Sequence, residues 1–355
     1  MSQPPYSHKF PDVVVAGLGE TGPQPADGRS IAEMVLAAVQ AALADAGLGY
    51  EDIDAVVTAS VDLFDGLTAS NIAVTEVVGA VMKPETRIAG DGLAAALHAA
   101  CQIRAGAYDV VLVVAHAKPS MADFQDLSEW ALDPIYLQPL GLDFLACAGL
   151  QASAMAAADP AAPERWAETA ARRLNAADGL AEPSTAAQVL ESALVATPLR
   201  AGMCAPLADG ACAVLLRAGG PGPRITGLGH DLDAHLPGDR DPAAWPGLSR
   251  ALARALKGSG SAVSDRVFDL AEPSCFYAHE EELFVGATGL GPDTEISPCG
   301  GLFGGAVPVA AGLTRLQAAA QRLRADPDCR RALVHGSWGP AGQGQVVAIL
   351  EAAHD

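Results

Sequence analysis

Residues 297–312 read SPCGGLFGGAVPVAAG, with five glycines and two prolines in sixteen positions. The stretch runs into GLTRLQAAAQRLRA, where Leu313, Leu316 and Leu323 recur on one side and Arg and Gln fall on the other, the spacing of an amphipathic helix. Glycine lets a backbone approach a ligand closely and tolerates positive φ. A glycine-rich turn that opens a helix also aims free N–H groups and the positive dipole end at whatever lies there. The stretch therefore reads as the floor of a site, or as a buried turn packed tightly between two elements. It has a counterpart earlier in the chain. GDGLAAALHAACQI (90–103) answers CGGLFGGAVPVAAGLTRL (299–316), VVLVVAHAKPS (110–120) answers RALVHGSWGP (331–340), and GACAVLLRA (210–218) answers GQVVAILEA (344–352). A repeat this long implies two similar α/β units packed side by side. Helix starts and strand ends of both units then converge on one site.

The remaining pattern fits two such units. Val13–Ala16 reads as a strand, 31–48 as a helix with Ile31, Met34, Val35, Val39 and Leu43 in its apolar stripe and Gly47 as its stop, and 53–60 as a strand. A helix capped by Ser70 (SNIAVTEVVGAV), a short strand at 86–89, a helix at 92–106 and a strand at 108–115 that is fully apolar in its middle follow. From Lys118 the pattern stops, and helices without intervening strands run to about Thr197. A turn and then an apolar strand within 206–219, and the linker GGPGP (219–223), precede the second unit. That unit has strands at 224–228 and 267–271, a helix at 248–256, the helix AHEEELFVGATGL, and closing strands at 332–335 and 346–350. The expected organisation is a first half at 1–117 and 204–220, an inserted loop domain at 118–203, and a second half at 221–355.

Composition narrows the function. A net charge of −20 argues against a sequence-independent nucleic-acid surface, which needs basic stripes. An anionic ligand would need a local basic patch. The seven cysteines are scattered without C-x-x-C spacing, which argues against a Cys-based zinc site and for a reducing, cytoplasmic setting. No metal site is expected. The segment MSQPPYSHKFPD lacks an apolar signal core, and no run reaches the length of a membrane span.

GLGET near the N-terminus, IDAVVTAS, GDGLAAALHAACQIRAGAYDVVLVVAHAK, LADGACAVLL, SPCGG…P…AAGLTRL and GQGQVVAILE fall in the order and spacing of the thiolase superfamily. Over nearly its whole length the chain resembles the sterol-carrier and lipid-transfer branch, often labelled acetyl-CoA acetyltransferase. The resemblance implies a five-layer αβαβα fold of two βαβαβαββ halves. It also implies a loop domain that covers coenzyme A, and acyl-CoA thioesters as substrates rather than a permanently bound cofactor. It further implies a tight dimer, with itself or with another thiolase-like chain, and a small partner protein carrying a zinc ribbon and an OB fold. The motif residues differ. The family's nucleophilic cysteine falls on Ala89, its Gly-His-Pro histidine on Val307, and its second cysteine near Ser337 or Trp338. Ser274 and Cys275 replace another familiar pair. Thiolysis through an acyl-cysteine at position 89 has no nucleophile.

Other residues are candidates for the chemistry. Asp91, between two glycines at a helix start, reads as an N-cap and also as a base for a substrate hydroxyl in retro-aldol cleavage; the two roles coexist. Cys299 in the glycine-rich turn reads as a dipole-activated thiol or as an inert one. His335, expected at a strand's carboxyl end, reads as a general base or as a packed, hydrogen-bonded histidine. Tyr277 and His279 precede the helix EEELF; Tyr277 could polarise an oxygen or serve the core. Cys101 is expected in the core. Arg165, Arg172 and Arg173 suit coenzyme A phosphates, or balance an acidic surface. Gly300 and Gly301 are expected to approach the ligand, and glycine-turn N–H groups to stabilise an enolate. Two functions remain: C–C bond chemistry beside a CoA thioester by a non-covalent route, or a catalytically degenerate subunit that supports an active thiolase partner.

Overall fold

A computed structural model of the chain describes residues 11–177 and 183–353. The first half runs β1 (Val13–Glu20), α1 (Ile31–Ala46), β2 (Ala55–Ala59), α2 (Asp62–Asp65), β3 (Glu85–Ile88), α3 (Gly92–Arg104) and β4 (Val110–Ala117). Four helices follow, α4 (Phe124–Trp130), α5 (Phe144–Ala158), α6 (Ala162–Ala176) and α7 (Ala186–Glu191), then a small hairpin, β5 (Leu194–Ala196) and β6 (Leu199–Arg200). β7 (Gly210–Ala218) returns to the first half. The second half comprises β8 (Arg224–Leu232), α8 (Pro246–Gly258), β9 (Leu270–Pro273), α9 (Ala278–Thr288), β10 (Glu295–Ile296), α10 (Ala311–Ala325), β11 (Arg331–Trp338) and β12 (Gly344–Glu351).

The strands lie in the order β3-β2-β4-β7-β1 in the first half and β10-β9-β11-β12-β8 in the second. The two quintets correspond strand for strand, and the parallel and antiparallel pairings match as well. They meet at β1 and β8 through the pairs Val13–Ile225 and Val14–Arg224. Strand alternation then builds the layers, because successive side chains point to opposite faces. Val111, Val113 and Ala115 of β4 face a central layer of α3 and α10, as do Val346, Ala348 and Leu350 of β12. Leu112 and Val114 instead meet Met34, Val35 and Val39 of α1. Val347 and Ile349 meet Leu248 and Leu252 of α8 and Phe284 of α9. The result is the five-layer αβαβα arrangement.

The repeat extends to single residues. In β1, a Cβ on Gly17 or Gly19 would fall 2.3 Å from the Ala42 carbonyl oxygen or 2.2 Å from that of Ala38. In β8, a Cβ on Gly227 or Gly229 would fall 2.4 or 1.8 Å from the corresponding oxygens of Ala255 and Ala251. Both GLG triplets let an outer helix lie directly on its strand. Three expectations change. SNIAVTEVVGAV forms only a short 3₁₀ turn, Ser70–Val74, followed by further turns. Its β-branched residues disfavour a helix, and burying Val74 and Val78 needs no helical face. Cys101 is exposed, because α3 buries Ala96, Ala99, Ala100 and Ile103 instead. The strand expected at 267–271 begins later, at Leu270, where pairing with β11 starts.

A reciprocal contact holds the halves together. β1 carries an extra residue, Ala16, opposite β7, and β8 an extra residue, Thr226, opposite β12. Such bulges interrupt the ladder and leave carbonyls to be satisfied elsewhere. Arg324, in the last turn of α10, donates to the carbonyls of Val15 and Ala16 at 2.9 and 3.0 Å. Arg104, the last residue of α3, donates to those of Ile225 and Thr226 at 2.8 and 3.1 Å. Each half's helix closes the other half's bulge. Arg104→Ala and Arg324→Ala should each lower the unfolding free energy by about 1–3 kcal/mol, the range for hydrogen bonds from charged groups. Urea unfolding checks this; an unchanged midpoint in both variants would contradict it.

Candidate active site

An apolar cavity of about 560 Å³ lies where the two halves meet the inserted helices. Ala89, Gly90 and Asp91 form one part of its wall, and Pro308, Ser337 and Trp338 another. Phe124 of α4 and Phe144 of α5 close over it and pack on Phe64, with ring centroids 4.9 and 6.4 Å from that ring. Among the described residues that line it, none is Lys, Arg or His. Its polar groups are few, as in small-molecule sites where a handful of polar atoms fix orientation.

Asp91 is 1% exposed. Its Oδ1 accepts from the Leu93 N–H and its Oδ2 from the Gly312 N–H, both at 2.8 Å. It therefore caps α3 and at the same time holds the first turn of α10, from the opposite half. Room for it comes from two bare positions: a Cβ on Gly312 or Gly336 would lie 2.1 or 2.3 Å from Oδ1. Burial pushes the carboxyl up to about 7, although the two N–H donors favour the anion. A carboxyl balanced near neutrality inside a cavity suits proton transfer.

Glu280, in the first turn of α9, is a second such group. It is buried and lines the same cavity. Its Oε2 accepts from the N–H groups of Phe276 and Tyr277 at 2.7 and 3.1 Å. Its Oε1 has no hydrogen-bond partner among the described residues. Burial pushes this carboxyl to about 7 as well. In sequence, Glu280 is marked only by its position three residues past a helix start, typical of a capping glutamate. Tyr277 also lines the cavity, with its phenol pushed well up by burial.

The other candidates lie elsewhere. His335 is buried inside β11, on the face toward α8 and α9, where Nε2 lies 2.6 Å from Gln345 Oε1 beside Trp245 and Phe284. Burial lowers its pKa to about 4. The strand continues three residues past His335 and alternation turns its ring away, so it does not emerge at the carboxyl end. His279 is buried against Trp166 and Gln151, its pKa lowered to about 3 by burial. Neither lines the cavity.

The glycine-rich stretch divides in function. Pro308 and Val309 reach the cavity and Gly312 holds Asp91, but Gly300 packs under α6. A Cβ on Gly300 would fall 2.6 Å from the Arg173 carbonyl oxygen, so this half of the stretch is a packing turn. Gly301 and exposed Cys299 also lie outside the cavity wall. Arg165 pairs with Asp159 and Glu282, Arg172 with Glu281, and Arg173 with Glu281 and the Ser297 carbonyl. The three arginines dock α6 onto the acidic first turn of α9 and are not aimed at a ligand. Cys204 is the cysteine in the cavity wall, and burial, with Glu280 nearby, pushes its thiol up to about 12. At position 89 there is only a methyl group, and the Trp338 ring lies over Gly344. Among the described residues, no group of three or more His, Cys, Asp or Glu is placed to hold a metal. No helix there is long and apolar enough to cross a membrane.

No family model and no curated protein sequence matches the chain. Solved structures do. The Ltp2-ChsH2(DUF35) aldolase aligns with a TM-score of 0.78 at 20% identity, over 96% of this chain and 98% of that one. A monomeric SCP2-thiolase-like protein type 1 from Mycobacterium smegmatis gives 0.76 at 20% identity, over 97% and 78%. Human mitochondrial 3-ketoacyl-CoA thiolase gives 0.74 at 19% identity, over 97% and 99%. The two matching quintets of strands, the central pair of helices and these alignments agree: the chain has the thiolase fold.

Proposed function

We propose that the protein makes or breaks a carbon–carbon bond next to a CoA thioester by a non-covalent, retro-aldol or Claisen-type route. The observation that carries this reading is Asp91: a buried carboxyl in the wall of an apolar cavity, tuned to about 7, beside a position where the thiolase nucleophile is replaced by Ala89. In the cleavage direction, ionised Asp91 takes the proton of a β-hydroxyl. The oxygen's electrons form a carbonyl, the Cα–Cβ bond breaks, and its electron pair passes into the thioester as an enolate. The cavity backbone at Gly90, Gly339 and Gly342 is where the thioester oxygen would be held. An apolar wall suits the acyl group, in keeping with a role in lipid-type metabolism. One structural neighbour is an aldolase, which supports the reaction class. The working form in this reading is a homodimer or a heterodimer with another thiolase-like chain, with a zinc-ribbon and OB-fold protein as a third component, in the cytoplasm.

A second reading is a degenerate subunit that supports an active thiolase partner. The replacements at Ala89 and Val307, and the engagement of all three expected phosphate-binding arginines by carboxylates, favour it.

Incubation with acetyl-CoA, acetoacetyl-CoA and a β-hydroxyacyl-CoA separates the two readings. Cleavage of the β-hydroxyacyl-CoA with no mass adduct on any cysteine is expected, and Asp91→Asn should slow it by about 10²–10⁴-fold. A cysteine adduct would instead establish covalent thiolysis. Binding without cleavage, alone and with a partner present, would favour the supporting role.

Asp91 also links stability to pH. Its folded-state pKa is raised, so the folded form holds this proton more tightly than the unfolded chain does. Its contribution is fully present below the ordinary aspartate range and is lost as pH rises through about 7. Wild-type stability in urea should therefore fall relative to Asp91→Asn between pH 5 and 8, a range about one to two units either side of that value. A constant difference across that range would contradict the assignment.

A further inference from the structure

We infer that Glu280 is the proton donor to the α-carbon in this reaction, working with Asp91 as the second carboxyl of the same cavity wall. The inference rests on the reading of the cavity as a site of thioester C–C chemistry. It stands on how the two carboxyls are held. Asp91 has one N–H on each oxygen, which fixes it across two helix starts and favours its anion. Glu280 receives both of its N–H groups on Oε2. Oε1 keeps its lone pairs and is the natural seat of a proton. The side chain lines the cavity, so this carboxyl borders the substrate space.

Burial favours the neutral acid and outweighs the two N–H donors, which favour the anion here as they do at Asp91. Tyr277 at the start of α9, Cys204 before β7 and Cys275 after β9 face Glu280, and burial raises the pKa of all three above their ordinary values. None brings a positive charge. The neighbouring Glu281 is engaged by Arg172 and Arg173, so those cations are directed away from Glu280. Glu280, with its pKa raised to about 7, thus keeps its proton through the acid side of neutrality.

The proton count closes. Asp91 gains the hydroxyl proton as the Cα–Cβ bond breaks. Glu280 then gives its proton to the enolate α-carbon, forming the new C–H bond and the acyl-CoA product. Nothing is oxidised or reduced. The carboxyls finish with their states exchanged and reset through water. Activity needs Asp91 ionised and Glu280 neutral, so it falls on both sides of neutrality, and the two limbs belong to the pair.

The test is exchange of the α-protons of propionyl-CoA in D₂O, followed by mass spectrometry, alongside cleavage of a β-hydroxyacyl-CoA and propionyl-CoA binding. Glu280→Gln keeps an oxygen for the Phe276 and Tyr277 N–H groups but cannot donate a carboxyl proton. It should bind propionyl-CoA within about 3-fold of wild type and lose exchange and cleavage by about 10²-fold or more, together with the alkaline limb of the cleavage pH profile. Glu280→Asp, which retains an acid at shorter reach, should recover at least about 10-fold over Glu280→Gln, which a purely structural cap would not require. Cleavage and exchange in Glu280→Gln within about 3-fold of wild type would overturn the role of Glu280 and leave the proposed function standing. Wild-type protein that binds propionyl-CoA but neither exchanges nor cleaves would overturn both. Should Glu280→Gln fail to fold, the wild-type cleavage profile decides: a cleavage rate that does not fall above about pH 7 excludes Glu280 as the donor.

Discussion

The Asp91 carboxylate is the joint on which the cavity depends. It stands at the start of α3 in one half and takes an N–H from the start of α10 in the other. Two helix N-termini favour a negative charge there, and complete burial opposes it. Burial outweighs the donors and leaves the group near neutrality. The space is exact enough that neither Gly312 nor Gly336 could carry a side chain without displacing it. One residue therefore fixes the relative position of the central helices and places a titratable group in the wall between them.

The fold is nearly two-fold symmetric, but the cavity is not. The N-cap position of α3 is Asp91, whereas that of α10 is Ala310. The first half alone carries the insertion that brings Phe124 and Phe144 over the cavity. The second half contributes Glu280 and Tyr277 from α9. A repeated scaffold thus supports one site, with different side chains supplied from each half and a cover from one of them.

Much of the scaffold was legible in the chain because its signals are local or repetitive. The stripes Met34–Val35–Val39 and Leu313–Leu316–Leu323 specify buried helix faces, and the answering segments specify the two halves. Asp91 was visible for the same reason, as an N-cap between glycines. The site was harder because its contacts are long-range. Nothing near Arg165, Arg172 or Arg173 in sequence reveals that Glu281 and Glu282, more than a hundred residues later, occupy them. His335 was placed at a strand end, but the strand runs on to Trp338 and directs the ring into the outer layer. Ser297–Gly312 carried both proposed meanings at once, packing at Gly300 and site-building at Gly312.

The exchange of arginines between α3 and α10 bears on ancestry. Arg104 closes the bulge in β8 and Arg324 the bulge in β1, each through the same pair of carbonyl positions. A chain of one half, with one arginine and one bulge, could form both contacts by associating with an identical copy about a two-fold axis, each copy lending its helix end to the other. Joining two such copies end to end would keep every contact and free the two sites to diverge. The reciprocal closure is therefore the geometry expected of a former dimer interface now carried within a single polypeptide.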